Sequence, residues 1–118
     1  MRRSYIGALL ALVLLATLMP PALHAQVKFP RLISVTPDSG KVGDLLTVEG
    51  ENLDKSNVKA LYLTDGQTDW KTEIVEQTSE AIKFKIPKNA KPGRFNLMVL
   101  TAGDDPRLLE QPVKVTVE

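Results

Sequence analysis

The sequence contains no cysteine, and its one histidine, His24, lies close to the N-terminus. The absence of cysteine excludes disulfide bonds, thiolate nucleophiles and a lipid anchor on an N-terminal cysteine. Any domain formed by the rest of the chain must therefore be stabilised by apolar packing and backbone hydrogen bonds alone. Nearly all zinc sites use cysteine or histidine. The absence of cysteine, and of histidine beyond residue 24, therefore argues against a zinc site in the rest of the chain.

A long apolar run is also lacking. The apolar stretch at residues 6–19 has 14 residues, follows two arginines and ends at two prolines, whereas a membrane-spanning helix needs about 20 residues. This layout is typical of a secretory signal peptide. We predict cleavage after Ala25, although Leu23 occupies the −3 position, where a small residue is usual. Residues 1–25 are therefore predicted as a signal peptide.

The predicted mature chain, residues 26–118, has a length sufficient for one domain and too short for two. Loss of Arg2, Arg3 and His24 leaves 13 basic and 14 acidic residues, a formal charge of −1. No block of five like charges occurs, which is typical of a solvated surface and not of a nucleic-acid site. We predict a secreted or periplasmic domain with no nucleic-acid partner and no membrane span after removal of the signal.

Beyond Pro30 the apolar residues alternate with polar ones at a period of two, and no stretch of helical length shows a period of 3.6. Seven runs separated by turn-forming residues are therefore predicted as strands: 32–36, 45–50, 58–64, 70–76, 81–86, 94–101 and 111–118. Alternation requires only one buried face per strand, and two sheets packed face to face provide it. The predicted fold class is an all-β antiparallel sandwich.

The alternation also assigns side chains to faces. In the fifth run Ile82, Phe84 and Ile86 are predicted inward, and Lys83 and Lys85 outward. The other sets predicted to share one face are Ile33 with Val35, Leu46 with Val48, Leu61 with Leu63, Phe95 with Leu97 and Val99, and Val113 with Val115 and Val117.

Pro37, Gly40 and Gly43 lie between the first two strands, and Gly50 and Asn52 follow the second. Proline cannot donate to a ladder. We expect Gly40, and either Gly50 or Asn52, to take a left-handed conformation that turns the chain. The spacing matches neither GxGxxG nor the P-loop, which argues against a phosphate-binding loop.

The stretch at residues 33–53, ISVTPDSGKVGDLLTVEGENL, resembles the opening of the IPT/TIG domain. Pro87 after the fifth run and Pro92-Gly93 before the sixth are similar to later landmarks of that family. The resemblance covers about residues 30–118 and implies an immunoglobulin-like sandwich of E-set type with about seven strands.

The resemblance implies little about activity. The family includes receptor stalks, transcription-factor dimerisation domains, bacterial surface proteins and accessory domains of starch-acting enzymes. Family modules usually lie within longer chains as spacers. A module that stands alone behind an export signal is therefore expected to bind something or to self-associate.

Catalysis has little support from the residues present. A mature chain without histidine or cysteine cannot form a Ser-His-Asp or Cys-His arrangement. Glu49, Glu51, Glu73 and Glu76 leave two-carboxylate hydrolysis formally open, but their outward or turn positions are typical of solvated charges. We predict a protein that is not an enzyme, with no catalytic residues and no cofactor.

Two clusters of oxygen-bearing side chains are candidate calcium sites: Asp54 with Ser56 and Asn57, and Asp104 with Asp105. Neither matches the twelve-residue EF-hand loop. Turns select the same residue types, so turn chemistry is the preferred interpretation and no metal ligands are predicted.

Trp70 and Tyr62 are the candidate ligand contacts, because aromatic faces can stack on sugar rings or anchor protein interfaces. Trp70 is inward if Ile74 is inward, and outward if Val75 is inward instead. We favour a packing role for Trp70 and a half-exposed sheet position for Tyr62. Together they support an alternative function, a glycan-binding module with a polysaccharide ligand.

The leading prediction is a non-catalytic module that contacts a protein partner in the cell envelope. A sandwich interior about 10 Å thick is filled by side chains, so a ligand must meet loops, a sheet face or an edge strand. The runs at 70–76 and 111–118 are predicted at sheet margins, where a partner strand could pair. Loops or an edge strand are therefore the predicted contact surface.

The face assignments predict the cost of single substitutions. Phe84→Ala or Leu97→Ala should lower the free energy of unfolding by about 2–5 kcal/mol, because each leaves a cavity in the core. Lys83→Ala should change it little. Urea unfolding of the three variants measures the difference, and an equal loss for Lys83→Ala would contradict the assignments.

Overall fold

The computed structural model describes residues 28–118, which form two β-sheets packed face to face and contain no helix. The predicted signal peptide, 1–25, lies outside the described residues. The nine strands are β1 Arg31–Thr36, β2 Ser39–Gly40, β3 Leu45–Glu51, β4 Val58–Thr64, β5 Asp69–Lys71, β6 Glu73–Gln77, β7 Ala81–Lys85, β8 Gly93–Thr101 and β9 Leu108–Val117. The predicted all-β sandwich is confirmed.

Each sheet contains its own set of strands. The four-stranded sheet has the order β1-β3-β7-β6, and the five-stranded sheet has the order β2-β9-β8-β4-β5. Neighbouring strands are antiparallel except β2 and β9, which are parallel. Strands β4 and β8 are therefore central in the five-stranded sheet and are paired along both edges.

The strand count is nine rather than the predicted seven, because the chain changes sheets at two places. After Pro37 it leaves the four-stranded sheet and continues as β2, beside β9. The run predicted at 70–76 divides at Thr72 into β5, which pairs with β4, and β6, which pairs with β7. The alternation of apolar and polar residues does not reveal a change of sheet, because a side chain that points inward in one sheet still points inward in the other.

The core lies between the sheets and is built from the predicted positions. Phe84, Ile82 and Leu97 have no exposed surface, and Ile86 has almost none. The remaining members of the buried cluster include Leu46, Val48, Leu61, Leu63, Phe95, Val99, Val113, Val115 and Val117. Lys83 and Lys85 point outward, as predicted.

The prediction for β1 is wrong by one residue at its start. Leu32 is buried, whereas Ile33 is 57% exposed, because the pairing of β1 with β3 shifts between Leu32 and Ser34. A bulge of this kind adds a residue to one strand and reverses the side-chain alternation. Val35, beyond the bulge, packs against the core as expected.

The predicted left-handed positions are partly confirmed. After the second predicted strand Asn52 takes a positive φ (57°) and Gly50 does not, whereas before that strand Gly43 (φ 87°) takes it in place of Gly40. Gly50 is required by close packing instead, because a Cβ atom there would overlap the carbonyl oxygen of Arg31. Because Gly50 has no side chain, the backbone of β1 can lie close to β3.

Gly50→Ala should therefore destabilise the domain by about 2–4 kcal/mol, since the new methyl group meets strand backbone that cannot move aside. Gly66→Ala is the matched control: its φ is 92°, but a Cβ there has nothing within 4 Å. We expect the control to cost about 1 kcal/mol, the backbone penalty alone. Urea unfolding with equal or greater loss for Gly66→Ala would contradict the close-packing role of Gly50.

Candidate functional site: the outer face of the five-stranded sheet

The outer face of the four-stranded sheet carries cross-strand ion pairs, with Leu45 of β3 exposed beside Lys85. Lys83 Nζ lies 3.3 Å from Glu76 Oε2, and Lys85 Nζ lies 3.8 Å from Glu73 Oε2, both across the β6–β7 pair. All four side chains are about half exposed or more. Exposed ion pairs of this kind contribute little to stability and are typical of a solvated surface.

The outer face of the five-stranded sheet is apolar at its centre. Tyr62 of β4 is paired with Met98 of β8. In the next row Ala60 is paired with Leu100, and Leu100 with Leu108 of β9. These five residues form a continuous cluster across three strands, which we call the Tyr62 patch.

The Tyr62 patch is separate from the core. Its neighbours along β4, Leu61 and Leu63, belong to the core cluster, whereas Ala60 and Met98 are buried without belonging to it. Tyr62 and Leu100 are half-buried, and Leu108 is 51% exposed. Strands β4 and β8 therefore present apolar side chains on both faces, although only one face meets the other sheet.

Sequence reasoning assigned Tyr62 to this half-exposed position and missed the other four residues of the patch. A signal for them was present in the run Leu97-Met98-Val99-Leu100, which is apolar at every position. Such a run is typical of a strand buried on both faces. The alternation of Phe95, Leu97 and Val99 already supplies the one buried face that a sandwich strand needs. Met98 and Leu100, on the opposite face, were therefore given no role.

A polar border surrounds the patch. Lys71 of β5 is paired with Tyr62, and Glu110 of β9 with Met98. A groove of about 140 Å³ lies beside it, and its lining consists of Thr64, Asp65, Gly66, Arg94, Asn96 and Glu110. The face thus combines an apolar centre with hydrogen-bonding groups of both charges at its margin.

Trp70 lies on the other side of the same sheet. It is paired with Leu63, packs against the core together with Ile74, and meets the Phe95 ring edge-on at 5.2 Å and 78°. Val75 is 53% exposed. The predicted packing of Trp70 and half-exposure of Tyr62 agree with this arrangement, and the structure does not bring the two aromatic side chains together.

Side chains of two glutamines tie the four-stranded sheet to the rest of the domain. The backbone N–H of Leu32 in β1 donates to Gln111 Oε1 at 2.9 Å. Gln77 Nε2 in β6 donates to the carbonyl oxygens of Leu53 and Val58 at 2.8 and 3.0 Å. Both outer strands of that sheet are therefore already joined to neighbouring backbone or side chains at these points.

The predicted sheet margins are partly confirmed. Strands β5 and β6, into which the run at 70–76 divides, each lie at an edge. Strand β9 is next to the edge, but β2 covers it only at Thr116 and Val117. Pro112, which cannot donate to a ladder, lies in the uncovered part.

The oxygen-rich cluster around Asp54 forms a closed turn. The Ser56 hydroxyl and Asn57 Nδ2 both donate to the Asp54 carboxylate, the latter at 2.9 Å. The Ser56 hydrogen bond is the main cause that lowers the pKa of Asp54. In the second cluster Asp105 pairs with Arg107 at 3.2 Å. Within residues 28–118 no three carboxylate or imidazole groups are gathered as a metal site.

The IPT/TIG domain model matches residues 30–116, nearly all of the described chain. The chain belongs to the IPT/TIG family. This agrees with the immunoglobulin-like sandwich and with the resemblance of residues 33–53. No curated protein matches the sequence significantly. The described part of this IPT/TIG domain contains no helix of the length and hydropathy that a membrane crossing requires.

Several solved structures with a similar fold come from Bacteroides proteins. A Bacteroides thetaiotaomicron protein of unknown function aligns over 82% of this chain and 24% of its own, with a TM-score of 0.65 and 20% identity. An auxiliary nutrient binding protein from that species aligns over 77% and 21%, with a TM-score of 0.56 and 21% identity.

A third match is SGBP-B of the Bacteroides ovatus mixed-linkage glucan utilization locus, in complex with a mixed-linkage heptasaccharide. It aligns over 80% of this chain and 25% of its own, with a TM-score of 0.53 and 20% identity. The IPT/TIG domain thus spans about a quarter or less of the length of these three structures.

The groove beside the Tyr62 patch contains a carboxylate, Asp65, whose pKa is lowered by hydrogen bonds. Asp65 Oδ1 accepts the backbone N–H groups of Thr68 and Gln67 at 2.7 and 2.8 Å. These two hydrogen bonds lower the pKa of Asp65 from its ordinary value of 3.8. The folded state therefore binds this proton less readily than the unfolded state does.

The stabilising effect of Asp65 should be complete above pH 3.8 and should be lost as the pH falls through the lower folded pKa. Asp65→Asn removes the titrating group and should flatten the acid-side decline of the melting temperature. NMR titration of the Asp65 carboxyl carbon measures the folded pKa directly. A midpoint at or above 3.8 would contradict the role of the two N–H donors.

Proposed function

We propose that this IPT/TIG domain is an exported, non-catalytic interaction module that binds a protein of the cell envelope through the Tyr62 patch. The observation that carries the proposal is the contrast between the two outer faces. One face carries the pairs Lys83–Glu76 and Lys85–Glu73 beside a single exposed leucine, Leu45, whereas the other presents Tyr62, Leu100 and Leu108 in one contiguous cluster. Apolar clusters with a polar rim are typical of protein interfaces.

The contact surface proposed here is a sheet face and not the loops or edge strand that the sequence suggested. Strand addition needs free backbone groups along a sheet edge. Gln111 accepts the Leu32 N–H of β1, the side chain of Gln77 extends from β6 to Leu53 and Val58, and β5 has only three residues. These features make the edges poorer docking surfaces than the Tyr62 patch.

The composition of the patch favours a protein over a sugar. Tyr62 is the one aromatic member of the patch, and the apolar side chains that share the patch with it, Met98, Leu100 and Leu108, have no ring to stack on a sugar. Aliphatic groups gain most from contact with other aliphatic groups, as at the centre of a protein interface.

Glycan binding is the second candidate function. Tyr62 lies close to the groove that Asn96 and Glu110 line, and such groups can donate and accept hydrogen bonds with sugar hydroxyls. The fold similarity to SGBP-B, which was solved with a heptasaccharide, supports this candidate at the level of the fold. Trp70 would contribute only through the part of its ring that is not packed against Phe95.

Export and the lack of catalysis are part of the proposal. The predicted signal peptide supports export, as does the fold likeness to nutrient-binding proteins. Of the four glutamates considered for hydrolysis, Glu73 and Glu76 are engaged by lysines on the exposed sheet face. Glu49 lies on the same face, in β3. This arrangement supports a binding role.

Site-specific photo-crosslinking in intact cells tests the proposal. A benzoylphenylalanine at position 108, in the patch, should give a discrete product that protease digests. The same residue at position 83, on the ion-paired face, is the matched control and should give none. With the partner purified, Leu108→Arg should weaken binding by about tenfold or more, a loss of about 1.4 kcal/mol, because it places a charge in the apolar contact.

Three outcomes would contradict the protein-partner proposal. Equal crosslinking from positions 108 and 83 would indicate nonspecific contact. A protease-resistant product that contains carbohydrate would favour the glycan candidate, in which case Tyr62→Ala should abolish retardation in a glucan-containing gel. A product made only of this chain would make the patch a self-association surface.

A further inference from the structure

A cleft of about 660 Å³ lies where the chain passes from β5 to β6. Its lining consists of Gly43, Lys71, Thr72, Glu73, Lys85, Ile86, Pro87 and Lys88. Three lysines face a single carboxylate there, in a described domain whose formal charge is −1. We call it the lysine cleft.

The positive charge of the lysine cleft is local. Glu73 Oε2 lies 3.8 Å from Lys85 Nζ and balances one of the three lysines. Within residues 28–118 no carboxylate lies within salt-bridge distance of Lys71 or Lys88. A second groove, of about 460 Å³, has the opposite sign: Glu49, Glu51 and Glu80 line it, and no lysine or arginine does. These two grooves therefore carry charge of opposite sign.

The lysine cleft does not have the features of a phosphate site. Backbone N–H groups that cradle a phosphate must be free. Here the Gly43 N–H donates to the Ile86 carbonyl oxygen at 2.9 Å, and the Thr72 N–H and hydroxyl both donate to the Leu61 carbonyl oxygen. The remaining cations are lysines, which act as flexible point charges and suit carboxylates spread along a chain.

The cleft is continuous with the Tyr62 patch through Lys71. That residue is paired with Tyr62 on the sheet face and also lines the cleft. A partner seated on the patch would therefore reach the lysines without leaving the surface.

We propose that the lysine cleft binds an acidic peptide segment, rich in aspartate or glutamate, of the protein that docks on the Tyr62 patch. The inference rests on the proposed function and specifies the partner: an apolar contact followed by a run of carboxylates. Opposite charges at the margin of an interface mainly increase the association rate and the specificity. Binding in the cleft should weaken as salt is added, because the lysines are exposed.

A hexaglutamate peptide is the probe, because it tests the cleft without the partner. Titration into the ¹⁵N-labelled domain at low salt should shift the amide signals of Thr72, Gly43 and Lys88, and 0.5 M salt should abolish the shifts. The double variant Lys71→Gln, Lys88→Gln should weaken peptide binding by about tenfold. Lys85 is left unchanged because it pairs with Glu73.

The matched control is Lys55→Gln, Lys59→Gln, which removes the same charge from exposed positions outside the cleft. It should leave peptide affinity unchanged, and circular dichroism should show that both double variants fold. Equal weakening by the two double variants would overturn the proposal, since net charge alone would then explain binding. Absence of any shift at low salt would overturn it as well.

Two further arms separate other ligands from the acidic peptide. If oligogalacturonate binds in a Lys71-dependent manner and hexaglutamate does not, the cleft is an acidic-sugar site. If sedimentation shows salt-sensitive dimers that Lys71→Gln, Lys88→Gln removes, the occupant is the glutamate-lined groove of a second copy. Either result overturns this inference and leaves the crosslinking test at position 108 unaffected.

Discussion

The apolar layer between the two sheets is the constraint on which this domain depends. No disulfide supports it, and no helix covers either sheet among the described residues. Its stability rests on side-chain packing, and Phe84 and Leu97 in this layer have no exposed surface. Because side chains fill this layer, recognition is confined to the outside of the sandwich, and the two outer faces differ in chemistry.

That difference follows from the topology. Strands β4 and β8 lie at the centre of the five-stranded sheet, with paired neighbours on both sides, so their outer side chains are flanked by other side chains. Met98 is buried for this reason; Ala60, whose strand partner is Leu100, is also buried, and neither residue enters the core. In the four-stranded sheet the lysines of β7 lie opposite the glutamates of β6, which keeps that face hydrated.

Fold class and core were predictable from the sequence, because period-two alternation depends only on which face is buried. Ile82 and Phe84, for example, are predicted to point inward and are fully buried. The failures concern pairing between strands: the bulge beyond Leu32 lies where β1 pairs with Gly50, which is distant in sequence, and the change of sheet at Thr72 leaves the alternation intact. The Tyr62 patch and the lysine cleft require the register of strands from different parts of the chain, which a single sequence does not reveal.

The segment formed by β5 and β6 pairs with β4 of one sheet and then with β7 of the other, so both sheets depend on it for an edge. Strands β5 and β6 are successive edges joined by Thr72, whose N–H and hydroxyl are both held by the Leu61 carbonyl oxygen. Detachment of this segment would uncover β4 and β7 together and expose two hydrogen-bonding edges in one event. Local opening of β5 and β6 together would thus present two edges suited to intermolecular strand pairing.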